Sequence, residues 1–185
     1  MTGSADDLER LASAVPEVVV PPVHAWDPPT TRDIDMLIAR NGDWFYQGSQ
    51  IQRPRMIRLF SSVLRVDDDG HTYLVTPQER LRIRVADAPF VAVLVERHGA
   101  PGPDSLVFTL NTGDRVVADA QHQISVEYAS EDGQPSPYIL VRDRLRALIS
   151  RSAFYHMADW AVERDGIIGV ESSGLFMPLS SNAHA

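Results

Sequence analysis

Between residues 72 and 149 the chain is a succession of short apolar runs broken by Gly, Pro, Asn and Asp. This punctuation limits the fold more than any other feature, because runs so short and so often interrupted suit strands joined by turns, not helices. Leu81, Ile83 and Val85 alternate with Arg82 and Arg84, the period of two expected of a strand with one buried face. Strands are expected at 72–76, 81–85, 90–96, 106–110, 115–118, 124–128, 138–141 and 145–149. The first two and the last two read as hairpins. A helix over 152–162 (SAFYHMADWAV) follows, and then a short apolar tail at 166–179.

The first third reads differently. Residues 6–15 (DDLERLASAV) suit a short helix with acids at its N-terminus. Pro16, Pro21, Pro22, Pro28 and Pro29 then enforce an extended arm. Residues 31–39 (TRDIDMLIA) place Ile34, Leu37 and Ile38 at helical spacing, so a helix is expected there. Trp44–Tyr46 and Ser49–Ile51 flank Gly48 as a hairpin. Residues 55–65 read as a helix opened by Pro54, with Met56, Leu59, Phe60 and Val63 on its buried stripe. The expected fold is α+β: an arm (1–30), an α+β half (31–88), a second half (89–165) and a tail (166–185). Residues 73–82 (YLVTPQERLR) and 138–146 (YILVRDRLR) echo one another, which suggests that the halves are related.

Composition narrows the chemistry. The chain has no cysteine, which removes disulfides, thiolate catalysis and cysteine-ligated zinc. All 17 basic residues are arginine, so Schiff-base chemistry and a phosphate-loop lysine are closed off as well. The net charge of −8 argues against non-specific nucleic-acid binding. Within this acidic chain, Arg53–Arg84 holds seven arginines against four acids, and Arg142–Arg151 four against one. The opening MTGSADDLER has no leader-peptide pattern, and no apolar run approaches the ~20 residues of a membrane helix, so a cytoplasmic protein without a membrane span is expected.

Arg58, Ser61, Ser62 and Arg65 would form one polar stripe on the 55–65 helix, two guanidinium forks flanking two hydroxyls, suited to phosphate or carboxylate. An ordinary solvated face is the competing reading. Arg80, Arg82 and Arg84 would share one strand face, mirrored by Arg142, Arg144 and Arg146. His122 lies between candidate strands, near Asp114 and Asp119 in sequence. The six histidines form no H-x-H or H-E-x-x-H pattern, and Asp67-Asp68-Asp69-Gly70 lacks the glutamate that a calcium loop needs at its twelfth position. No metal, cofactor or catalytic residue is expected.

The ordered blocks NGDWFYQGSQI (41–51), RLFSSVLRVDDDGHTYLVTPQER (58–80), VADAPFVAV (85–93), NTGD (111–114), PYILVRDRL (137–145), RSAFY (151–155) and GVESSG (169–174) resemble the bacterial domain-of-unknown-function family 1285. The resemblance implies two related halves, the second a bent antiparallel sheet closed by a helix and superficially like pleckstrin-homology folds. It also implies a ligand, nucleotide-like in character, at the interface between the halves, and a role in signalling. One departure is Arg142-Asp143-Arg144, where the family pattern leads one to expect a final glycine, so a wider turn is expected here.

Three functions follow as expectations. The first is a binding or sensor protein for an anionic ligand, held by Arg58, Ser61, Ser62, Arg65, Arg82, His122, Arg142 and Arg151. The second is a protein-interaction adaptor, with Leu175, Phe176 and Met177 docking on a protein partner. The third is an enzyme pairing His122 with Asp114 or Asp87.

Overall fold

The computed structural model describes Glu9 and residues 21–99, 102–128 and 134–180. The helix expected over 6–15 therefore lies outside the described residues, apart from Glu9. The chain divides into two compact units, Met1–Pro89 and Phe90–Ala185.

In the first unit a 3-10 turn at Val23–Ala25 leads into β1 (Thr30–Ile38), β2 (Trp44–Tyr46) and β3 (Ser49–Gln50). Helix α1 (Pro54–Ser62) separates these from β4 (Leu64–Val66), β5 (Thr72–Val75) and β6 (Glu79–Val85). The strands form one sheet in the order β3-β2-β1-β6-β5-β4. Every neighbouring pair is antiparallel except β1 and β6, which run parallel. Met36, Ile38, Trp44, Leu64, Leu74, Leu81 and Phe60 of α1 are buried, and Trp44 stacks on Phe60 with centroids 6.2 Å apart.

Two sequence expectations are corrected here. The stretch expected as a helix at 31–39 is a strand as far as Ile38. The burial of Met36 and Ile38 and the half-burial of Ile34 have a period of two, and β1 hydrogen-bonds to a strand on each side. Ladder pairing on both edges outweighs local helical spacing. The second helix ends at Ser62, not at 65. Leu64 and Val66 pair with Leu74 and Thr72, so Arg65 lies on a strand.

The second unit contains β7 (Phe90–His98), β8 (Ser105–Leu110), β9 (Arg115–Val117), β10 (Ile124–Tyr128), β11 (Pro135–Arg142) and β12 (Leu145–Ile149). These strands stand at all six positions expected from the sequence. Their order is β10-β11-β12-β7-β8-β9, again antiparallel except for the central β12–β7 pair. The β11–β12 turn is not widened: Arg142 pairs with Leu145 across two residues. Asp143 takes the left-handed conformation (φ 50°), and a bulge between Leu140 and Arg142 absorbs the misfit. Helix α2 (Arg151–Ala158) follows, capped by the Ser150 Oγ, which accepts from the Ala153 amide at 3.3 Å. It stops short of 162 because Val162 opens another strand.

The expected tail is a third sheet: β13 (Val162–Arg164), β14 (Ile167–Ser172) and β15 (Leu175–Pro178). Its hairpins turn on Asp165-Gly166 and Ser173-Gly174, each with two consecutive positive φ angles. Such turns match the twist of the flanking strands.

The described residues are thus mostly β, with α1, α2 and two six-stranded sheets of one topology. Each large sheet is two three-stranded meanders joined by parallel pairing of the first strand with the last. The echoed segments occupy matching places, β5–β6 and β11–β12. Arg80, opposite Val75, lies over the Tyr73 ring at 5.1 Å. Arg146, opposite Leu140, lies over Tyr138 at 3.8 Å. The equivalent of Arg146 is therefore Arg80, two residues from the match that the sequence echo implies.

Candidate functional site

Once β1 is a strand, Thr31, Asp33 and Asp35 share one face of it. That face lies beside Arg80, Arg82 and Arg84 of the parallel β6. Arg80 Nε donates to Thr31 Oγ1 at 2.6 Å and its Nη1 to Asp67 at 2.6 Å. Arg82 pairs with Asp33 at 2.5 Å, and Arg84 with Asp35 at 2.7 Å. Asp33 holds the Arg82 guanidinium above its ordinary value through this hydrogen bond and its charge.

The ladder changes character along its length. At one end Arg65 and Asp67 are each only 13% exposed. Arg65 binds Asp67 and also donates to the carbonyls of Val23 (2.7 Å) and Trp26 (2.8 Å), so it ties the proline-rich arm to β4. The Arg65 hydrogen bond, opposed by burial and reinforced by the charges of Arg65 and Arg80, holds the Asp67 carboxyl below the usual carboxylate range. At the other end Arg84 and Asp35 are 69% and 57% exposed. An open groove of about 910 Å3 lies over this exposed end, lined by Asp33, Asp35, Leu37, His71, Arg82 and Arg84 among others. An adjoining recess of about 220 Å3 shares Asp35, Leu37 and Arg84 and adds Phe45 and Gly48.

Of the residues singled out in the sequence, Arg82 lines this groove. Arg58 is exposed on α1, Ser61 is buried, and Ser62 Oγ donates to the Leu59 carbonyl at 2.7 Å. These three do not form a stripe with Arg65, which has left the helix for β4. Arg142 is half-buried, its guanidinium 5.5 Å from the Phe90 ring centroid. Burial pulls its pKa down against the opposing charges of Asp114 and Asp143. Arg151 is exposed at the first turn of α2. The carboxylate beside His122 is Asp119, not Asp114 or Asp87. One Asp119 oxygen accepts from the Gln121 and His122 amides (2.8 and 2.9 Å) and lies 3.0 Å from His122 Nδ1, a local turn. Asp114 accepts from Thr112, and Asp87 pairs with Arg40.

Met177 is buried, Phe176 lies under Arg164, and of the three expected docking residues Leu175 alone is exposed. Among the described residues no group of three His, Asp or Glu side chains could hold a metal ion. No helix among them is long and apolar enough to cross a membrane.

Sequence reading missed Asp33, Asp35 and Arg84 as one constellation. The signal was present in TRDID, whose charges alternate with the period of a strand.

Comparison with known proteins places the chain. Residues 21–88 match the N-terminal domain of the domain of unknown function DUF1285, and residues 89–179 match the C-terminal domain of the same family. A crystal structure of a DUF1285 family protein from Silicibacter pomeroyi DSS-3 is 46% identical, with a TM-score of 0.87 over 95% of each chain. Another, from Shewanella baltica OS155, is 26% identical with a TM-score of 0.53, over 67% of this chain and 90% of that one. No curated protein matches. With both of its units matched in order, the chain belongs to the DUF1285 family.

Proposed function

We propose that the chain is a binding or sensor protein whose ligand carries an anionic group, a nucleotide among the candidates, taken by Arg82 and Arg84 in the groove of the first sheet. The observation that supports this is the groove itself. Its volume of about 910 Å3 is that of a small-molecule site, and two exposed guanidinium groups stand two residues apart along one of its strands. Their pairs with Asp33 and Asp35 are exposed, and such pairs contribute ~0–1 kcal/mol, so a ligand can displace them. The buried Arg65–Asp67 pair offers no such exchange. A role in signalling belongs to this reading, as does a pleckstrin-homology-like character of the second unit, where α2 follows six strands.

A thermal-shift screen over nucleotides, phosphorylated metabolites and amino acids tests it. A ligand at 100 times its Kd adds about 2.7 kcal/mol, a rise on the order of 5–10 °C for a chain of this size. The shift should disappear in R82A/R84A. Silence across the panel would overturn the reading. A protein-interaction role is the second reading, favoured by Val93, Leu94 and Val117, large apolar side chains of β7 and β9 that are 46%, 44% and 40% exposed. A pull-down that recovers no stoichiometric partner would count against it.

A further inference from the structure

The groove carries as much negative charge as positive, and this restricts its ligand further. Asp33 lies directly opposite Arg82 in the parallel ladder, and Asp35 binds Arg84. The register shifts between Asp33 and Leu37, so Asp35 sits in an irregular stretch of β1 and still reaches Arg84, two residues on from Arg82. The cations stand on β6 and the anions on β1. A bare anion seated on Arg82 and Arg84 would take the place of Asp33 and Asp35. It would leave two carboxylates close by with their own charge unmatched. A ligand with a cationic group beside its anionic one offers a partner to both sides: its anion reaches the arginines and its cation the aspartates. The site stays neutral with such a ligand bound, which separates it from simple anions because the aspartates repel the latter.

The adjoining recess extends the argument. It begins at Asp35 and Arg84, continues past Leu37 and Phe45, and at about 220 Å3 has room for one large side chain. We infer that the ligand of this groove is an amino-acid-like zwitterion, its ammonium on Asp33 and Asp35, its carboxylate on Arg82 and Arg84, and an apolar side chain against Leu37 and Phe45. The inference rests on the binding reading above and narrows its ligand class.

Matched analogues test it by calorimetric titration of the full-length protein. L-Phenylalanine carries both charges, 3-phenylpropanoate lacks the ammonium, and 2-phenylethylamine lacks the carboxylate. Phenylalanine should bind at least ~10-fold tighter than either analogue. D33N/D35N, both on exposed side chains, should bring phenylalanine down to the level of 3-phenylpropanoate without weakening the latter. F45A should weaken phenylalanine and leave glycine unchanged. If 3-phenylpropanoate or inorganic phosphate binds as tightly as phenylalanine, or if only nucleotides bind, the zwitterion inference fails and the binding reading stands. If no compound of any class binds, both fail. Circular dichroism of each variant separates lost binding from lost fold.

Discussion

Arg65 and Arg82 carry the same charge and each has an aspartate within 2.5 Å, yet burial gives them different consequences. Arg65 is largely removed from water and also satisfies two carbonyls of the arm. Replacing it takes the closer guanidinium from the partly buried Asp67, which keeps Arg80, and a donor from both carbonyls, so R65M should lower stability by about 2–4 kcal/mol in urea denaturation. R82M, at an exposed pair, should cost less than about 1 kcal/mol in the same measurement. If the two variants unfold alike, the contrast in burial does not govern this ladder. Asp67 adds a pH dependence. Its folded-state pKa is depressed, so its stabilisation is complete above the unfolded carboxylate value and is lost as pH falls through the folded one. Stability should therefore drop below about pH 4. D67N should be less stable than the parent at pH 6 and show a shallower acid slope.

At the scale of elements, the small third sheet is joined to the second through Ser172 and Ser173, and Ser172 supplies its buried contact. Ser172 is fully buried, its Oγ accepting from the Leu106 amide at 2.8 Å and donating to the Ala118 carbonyl at 2.6 Å. S172A leaves both backbone groups without that partner and should cost about 1–3 kcal/mol, with faster amide exchange at Leu106. Unchanged exchange there would show that the anchor is elsewhere. Elements were legible where one local signal dominated. The strands from Thr72 to Ile149 announced themselves by alternation and turn residues. β1 did not, because TRDIDMLIA satisfies helical and strand spacing at once, and the deciding partner, β6, lies 49 residues away at the Asp33–Arg82 pair. β13–β15 were missed although Asp165-Gly166 and Ser173-Gly174 are both two-residue turn signals. Read together as consecutive hairpin turns, they point to a sheet.

At the scale of the whole chain, the echo between residues 73–82 and 138–146 did point to two sheets of one topology. It misplaced the arginine match because the two hairpins differ in loop length, and loop length sets register. The groove was less legible than the sheets. Its acids and its arginines come from opposite ends of the first unit, and the parallel pairing of first strand with last is what brings them onto one face. That pairing has a mechanical consequence. β1 enters the first unit and β6 leaves it, and the two run side by side in the same direction. Tension applied through the chain pulls β1 one way and β6 the other, along their length. The hydrogen bonds between them then carry the load together in shear, not one after another as when a hairpin is peeled open. In single-molecule pulling, the first unit should rupture in one sharp high-force event when held by its two ends. Attachment through the tip of the β4–β5 hairpin should open it at a markedly lower force, strand by strand.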